Sequence, residues 1–162
     1  RTLKTELAYA LGDKNPQVCQ AALRLAERLN DTQTVELLLD YAAHNQLELA
    51  IPAIRCLGRL KPAGIAETLC SLIVRTSDED RVLAYCQALG LIADASSIEP
   101  LAGILAPKWW WFRRKEWSSQ VRAAAAFALG QIPHAQAAQV LASFVNDRDP
   151  RVRQVARKSA KQ

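Results

Sequence analysis

Apolar residues along this chain recur at helical spacing, and the blocks they form recur in turn. Five amphipathic segments begin at Val18, Leu49, Arg81, Val121 and Val152, evenly spaced but for the step from Arg81 to Val121. Each complete segment is followed, after a short polar break, by a second apolar run such as Val35-Glu36-Leu37-Leu38-Leu39 or Ile65-Ala66-Glu67-Thr68-Leu69. A period in this range marks a stacked array in which each two-helix unit buries its apolar face on its neighbours. The pattern predicts an all-α, right-handed α-solenoid of four to five two-helix repeats, about ten helices with no strand. The irregular step is about eight residues too long, and the excess falls on an insertion at about 108–117 that carries Trp109-Trp110-Trp111-Phe112-Arg113-Arg114-Lys115.

Turn residues punctuate the units at matching places. Leu7 to Ala22 lies in register over Leu141 to Ala156, with Leu, Ala, Asp, Pro, Val, Gln and Ala recurring. In both copies a helix is expected to end near Gly12 or Asn146, residues tolerant of the left-handed terminating conformation. Asn15 or Asp149 then caps a new helix with Pro16 or Pro150 at its first position. Ser77-Asp78-Glu79-Asp80 reads as a capping-box start, and Pro100 is tolerable only in a first helical turn. Three units share a small-Leu-Gly step, Cys56-Leu57-Gly58, Ala88-Leu89-Gly90 and Ala128-Leu129-Gly130, which predicts close helix packing or a helix end. Residues 1–12 read as a second helix lacking its first, and the polar helix after Pro150 reads as a cap. The expectation is one domain over 1–162, with a half-repeat at each end, forming the C-terminal part of a longer protein.

Composition narrows the classes. Half of the residues are apolar and 23% are charged, which excludes a disordered chain. No apolar run reaches the ~18 residues of a membrane span. Cys19, Cys56, Cys70 and Cys86 form no CxxC pair and have no histidine at metal-ligand spacing, so they read as small buried residues of a reducing compartment, the cytoplasm. His44 and His134 belong to no HExxH motif, and there is no GxSxG, P-loop or GxGxxG. No catalytic residue, metal or cofactor is expected. The net charge of +5 is uneven, with basic residues gathered in 108–117 and 148–162.

Val121-Arg122-Ala123-Ala124-Ala125 with Ala128-Leu129-Gly130-Gln131-Ile132, and Asp147 to Val152-Arg153, resemble the HEAT-repeat superfamily, in particular the short bacterial repeats also found in phycobilin lyases. The resemblance covers essentially the whole chain. It implies a ladder between an aspartate and an arginine six residues later: Asp147 and Arg153 fit, Glu116 and Arg122 fit loosely, and Asp13 meets Cys19 instead. Pro52 resembles the kink of a first HEAT helix. The resemblance also places the second helices, with Glu36, Asp40, Glu67 and Glu99, on a concave face suited to basic partner segments.

The function expected is a non-catalytic protein-interaction scaffold. Its contacts are assigned to that face and to Trp109, Trp110, Trp111, Phe112, Arg113, Arg114 and Trp117, because three consecutive bulky residues cannot share one helix face and Trp and Arg dominate binding hot spots. The same cluster reads alternatively as packing over the seam between the last two units. As a contact surface its partners rank protein first, then a membrane surface, then nucleic acid. The alternative functions are a phycobilin-lyase-like chromophore chaperone and a nucleic-acid-binding HEAT-like protein.

Overall fold

A computed structural model describes residues 3–29, 31–106 and 117–159. Among them stand ten α-helices and no strand: α1 (Leu3–Leu11), α2 (Pro16–Leu29), α3 (Thr32–Ala42), α4 (Leu47–Leu60), α5 (Ile65–Ile73), α6 (Glu79–Ile92), α7 (Ile98–Leu105), α8 (Ser119–Gln131), α9 (Ala135–Ala142) and α10 (Pro150–Ser159). A single 3-10 turn, Ala95–Ser97, leads into α7. The even-numbered helices pack in succession, α2 on α4, α4 on α6, α6 on α8 and α8 on α10, as a first layer. The odd-numbered helices form a second layer, α1 against α2, α3 against α4, α5 against α6, α7 against α8, and α9 against both α8 and α10. This is an α-solenoid, in which α1 packs on α2 and on α3.

The turn chemistry is local and repeats. Asp13 accepts from the Asn15 amide at 2.7 Å, and Asn15 accepts from the Gln17 amide at 3.0 Å. The same pair recurs near the other end of the stack, Asp147 accepting from Asp149 at 2.8 Å and Asp149 from Arg151 at 2.9 Å. Each cap satisfies an amide that the helix start leaves without a partner. Pro16 and Pro150 occupy the first position, where the missing N–H costs nothing. Helix α1 ends at Leu11, beside Gly12 as expected, but the backbone of three helix boundaries differs from expectation. Left-handed backbone occurs at Lys61, Gly64 and Ala93, and not at Gly12 or Asn146. Helix α9 stops at Ala142, well before Asn146, where the Ser143 hydroxyl turns back to donate to the Val140 carbonyl at 2.7 Å. The cap of α6 is Asp78 rather than Ser77, its carboxylate accepting from the Arg81 amide at 2.9 Å.

The small-Leu-Gly step marks the seams between first-layer helices. A Cβ placed on Gly58 would meet the Ala88 Cα at 2.7 Å, and one on Gly90 would meet the Ala128 Cα at 3.1 Å. Gly130 faces Ser159, which takes the place of Ala128 in the last unit. Each seam therefore sets the glycine of one unit against the small residue of the next. Leu57, Leu89 and Leu129, one before each glycine, are fully buried, and each contributes roughly 1.5–3 kcal/mol. Tyrosines tie successive units together, Tyr41 within the second layer and Tyr85 from the first layer to the second. The Tyr41 hydroxyl donates to the Ala8 carbonyl at 2.8 Å, and Tyr85 to the Ala42 carbonyl at 3.3 Å.

Candidate interaction faces

The two layers carry opposite charge. The first-layer helices hold ten Lys or Arg against four Asp or Glu. The second-layer helices hold one lysine against five carboxylates. Glu36, Asp40, Glu67 and Glu99 are all exposed. Glu67 and Glu99 share one register of adjacent units, each in the first turn of its helix, where a carboxylate also complements the helix dipole. Glu36 lies 3.5 Å from the Lys4 ammonium, an exposed pair that contributes little to stability.

Of the tryptophan cluster, Trp117 is half-buried and packs against the core. Trp109, Trp110, Trp111, Phe112, Arg113 and Arg114 lie outside the described residues, as does Glu116.

The ladder is built across a seam. Arg122 is buried at the start of α8. Its guanidinium donates to both Asp147 carboxylate oxygens, at 3.0 and 2.7 Å, and to the Leu105 carbonyl at 3.2 Å. Asp149 stands 3.9 Å away. Sequence spacing pairs Arg153 with the Asp147 carboxylate, and the structure corrects this. Arg153 donates instead to the backbone carbonyls of Asp147 and Arg148, at 2.6 and 3.0 Å, leaving that carboxylate to Arg122. Cys19, at the register of Arg153, does the same work more weakly: its thiol donates to the Asp13 carbonyl at 3.0 Å.

Burial works against the ionised forms of Asp147 and Asp149. The Arg122 hydrogen bonds to Asp147, the Ser119 bond to Asp149 and the amides that both accept outweigh it, holding both carboxyls below their ordinary range. A carboxyl depressed on folding contributes stability that is present above its unfolded value, near pH 4, and is lost as pH falls through the folded value. The last two units are therefore expected to loosen first on acidification below about pH 4. Hydrogen exchange of α9 and α10 amides along a pH series from 6 to 2 measures this.

All four cysteines are free thiols. Burial pushes Cys56 and Cys86 up to about 12 and also raises Cys70, so these three are poor thiolates at neutral pH. Among the described residues no group of three His, Cys, Asp or Glu is placed to hold a metal. His44 and His134 accept from the amides of Gln46 and Gln136 at 3.1 and 3.2 Å, which makes them turn and cap residues. A depression of about 540 Å³ runs along Pro150, Arg153, Gln154, Arg157 and Lys158, one face of α10 with no acid to set against its bases. No described helix is long and apolar enough to cross a membrane.

Sequence reasoning missed the outer first-layer surface. Arg24, Arg28, Arg55 and Arg59 are exposed there, as are Leu91 and Phe127. The signal lies in the repeat register, which maps Arg24 onto Arg55 and Arg28 onto Arg59.

Residues 107–162 match the family model of HEAT repeats. The match is to the repeat class and carries nothing toward the phycobilin-lyase type. Comparison with curated proteins gave no match.

Proposed function

We infer, from the match to HEAT repeats over residues 107–162 and the charge of the two layers, a non-catalytic scaffold that holds a basic protein segment against its second layer. HEAT repeats in general mediate protein–protein interaction and are non-enzymatic. The observation that carries the reading is the charge division between layers, with Glu67 and Glu99 exposed at one register of adjacent units. Glu36 and Asp40 extend the acidic line toward the start of the stack. Such a face steers a lysine- or arginine-rich segment and sets its register more than it supplies raw affinity.

Trp109, Trp110, Trp111, Phe112, Arg113 and Arg114 form the second arm of the proposal on sequence chemistry alone. Aromatic anchors supply buried area and arginines supply orientation.

The test is capture from source lysate by the intact chain, by a Glu67→Lys/Glu99→Lys variant and by a chain lacking residues 109–116. The charge reversal is expected to weaken capture by at least about tenfold, ~1.4 kcal/mol, with helicity unchanged. Deletion of 109–116 is expected to reduce capture independently. Equal capture by the intact chain and the charge-reversed variant, both folded, would remove the second layer from the interface.

A further inference from the structure

The outer surface of the first layer has a composition that packing does not explain. At the α2–α4 seam, the Arg59–Glu27 ion pair and the contact of the Cys56 thiol with the Leu23 carbonyl bring the two helices side by side. Arg24 and Arg28 lie one turn apart on α2, and Arg55 and Arg59 lie one turn apart on α4. One turn separates side chains by ~6 Å, and packed helices stand about 8–10 Å apart, so the four form a compact grid. Among the described residues no carboxylate is within ion-pair distance of Arg24, Arg28 or Arg55.

Two seams further on, the surface turns apolar. Gly90 and Ala128 make the close approach between α6 and α8. Leu91 and Phe127, each next in sequence to one of them, border that seam from outside and are 49% and 59% exposed. Phe127 stands in the alanine-rich helix SQVRAAAAFALGQ, on the face that does not pack. A phenylalanine so exposed contributes little to the stack.

We propose that this outer face is a second docking surface, distinct from the acidic layer, for an acidic amphipathic segment of a partner protein. Carboxylates of the segment would lie over the Arg24, Arg28, Arg55 and Arg59 grid. An apolar anchor would lie over Leu91 and Phe127. Arginine presents a planar fork that matches carboxylates in pairs and is enriched in protein hot spots, and Phe127 supplies a separate apolar anchor further along the same face. Glu27, inside the grid and paired with Arg59, opposes a phosphate backbone but tolerates a segment with spaced carboxylates. The two Leu91 and Phe127 side chains are too small a patch to anchor a membrane surface, yet suffice for one helix turn of a ligand.

The experiment is a selection of displayed random peptides, long enough for several helical turns, on the full chain. The recovered peptides are then titrated against Phe127→Gln, Leu91→Gln, Arg28→Glu/Arg55→Glu and Glu67→Lys/Glu99→Lys variants of checked helicity. Recovered sequences are expected to be rich in Asp and Glu, with Leu or Phe at helical spacing. Binding is expected to fall at least tenfold for Phe127→Gln and for the double arginine reversal. It is expected to be unchanged by reversal at Glu67 and Glu99, which separates this face from the acidic one. Neutral or basic selected peptides would overturn the proposal, and so would acidic ones indifferent to Phe127 and the arginines. Tighter binding of a single-stranded oligonucleotide or of phosphatidylserine vesicles, with the same residue dependence, would overturn it in favour of a polyanion or a lipid surface.

Discussion

Alanine at Gly58 is expected to destabilise the protein by about 2 kcal/mol, although glycine to alanine within an exposed helix stabilises by roughly 1 kcal/mol. The reason is the seam. The new Cβ would be placed 2.7 Å from the Ala88 Cα and 2.8 Å from the Ala88 Cβ, so α4 must move away from α6. Backbone is the obstacle, and no rotamer change relieves it. The two equivalent positions calibrate the effect. At Gly90 the nearest approach is 3.1 Å, and the steric cost should roughly cancel the helix gain. At Gly130 the nearest atom is the Ser159 Oγ at 2.8 Å, which rotates away, so alanine there should be neutral or stabilising. The expected order of stability, Gly130→Ala above Gly90→Ala above Gly58→Ala, is read by urea denaturation of the three variants. Ala88→Gly in the Gly58→Ala background should rescue only in part, because the Ala88 Cα remains at 2.7 Å. A Gly58→Ala protein as stable as the parent would mean that α4 and α6 are not packed in this register.

Removal of Arg122 is the second large effect. Arg122→Ala takes the bidentate partner from Asp147, the nearby cation from Asp149 and a donor from the Leu105 carbonyl, all on the buried side of the α8–α10 seam. Breaking one partner out of a buried pair costs about 3–5 kcal/mol, because the remaining charge keeps its desolvation cost. Arg122→Lys should recover little, since one ammonium cannot reproduce two parallel N–H bonds and reach the Leu105 carbonyl as well. The loss should be confined largely to α8, α9 and α10, as expected where each unit contacts only its neighbours. It should also depend on pH with a definite sign. Asp147 is depressed chiefly by its Arg122 hydrogen bonds and loses much of that depression without them, whereas Asp149 keeps its Ser119 and amide bonds, so the deficit of the variant is greatest near pH 7 and shrinks below about pH 4. Parallel denaturation curves at pH 7 and pH 3.5 measure this, and a deficit equal at both values would contradict the assignment.

The repeat and its punctuation were legible because they rest on local chemistry. Asp13-Lys14-Asn15-Pro16 and Asp147-Arg148-Asp149-Pro150 build the same pair of side-chain-to-amide bonds wherever they occur. The Leu-Gly step was legible as a recurring small residue, but its partner was not. That Gly58 faces Ala88 depends on how successive units stack, which no single unit's sequence states. The Asp147 ladder failed for the same reason. Spacing within one helix start suggested Arg153, while the carboxylate turns to Arg122 across the seam. The outer arginine grid went unseen because its members are scattered in sequence and meet only in the folded register. Cys19 was a visible departure from the ladder, and its thiol takes over the arginine's backbone bond.

Whether the acidic second layer holds a protein is read by site-specific photo-crosslinking in source cells. A benzoylphenylalanine is placed at exposed Thr68 or Gln139 on that layer, and at exposed Ser71 in a chain carrying Glu67→Lys/Glu99→Lys. A Ser71 probe in the otherwise unchanged chain serves as its reference. One discrete protein adduct is expected from Thr68, Gln139 and Ser71, rich in lysine or arginine at the cross-linked segment, and lost in the charge-reversed chain. Cross-links from these positions only to lipid or nucleic acid, or a protein adduct unaffected by charge reversal, would contradict this expectation.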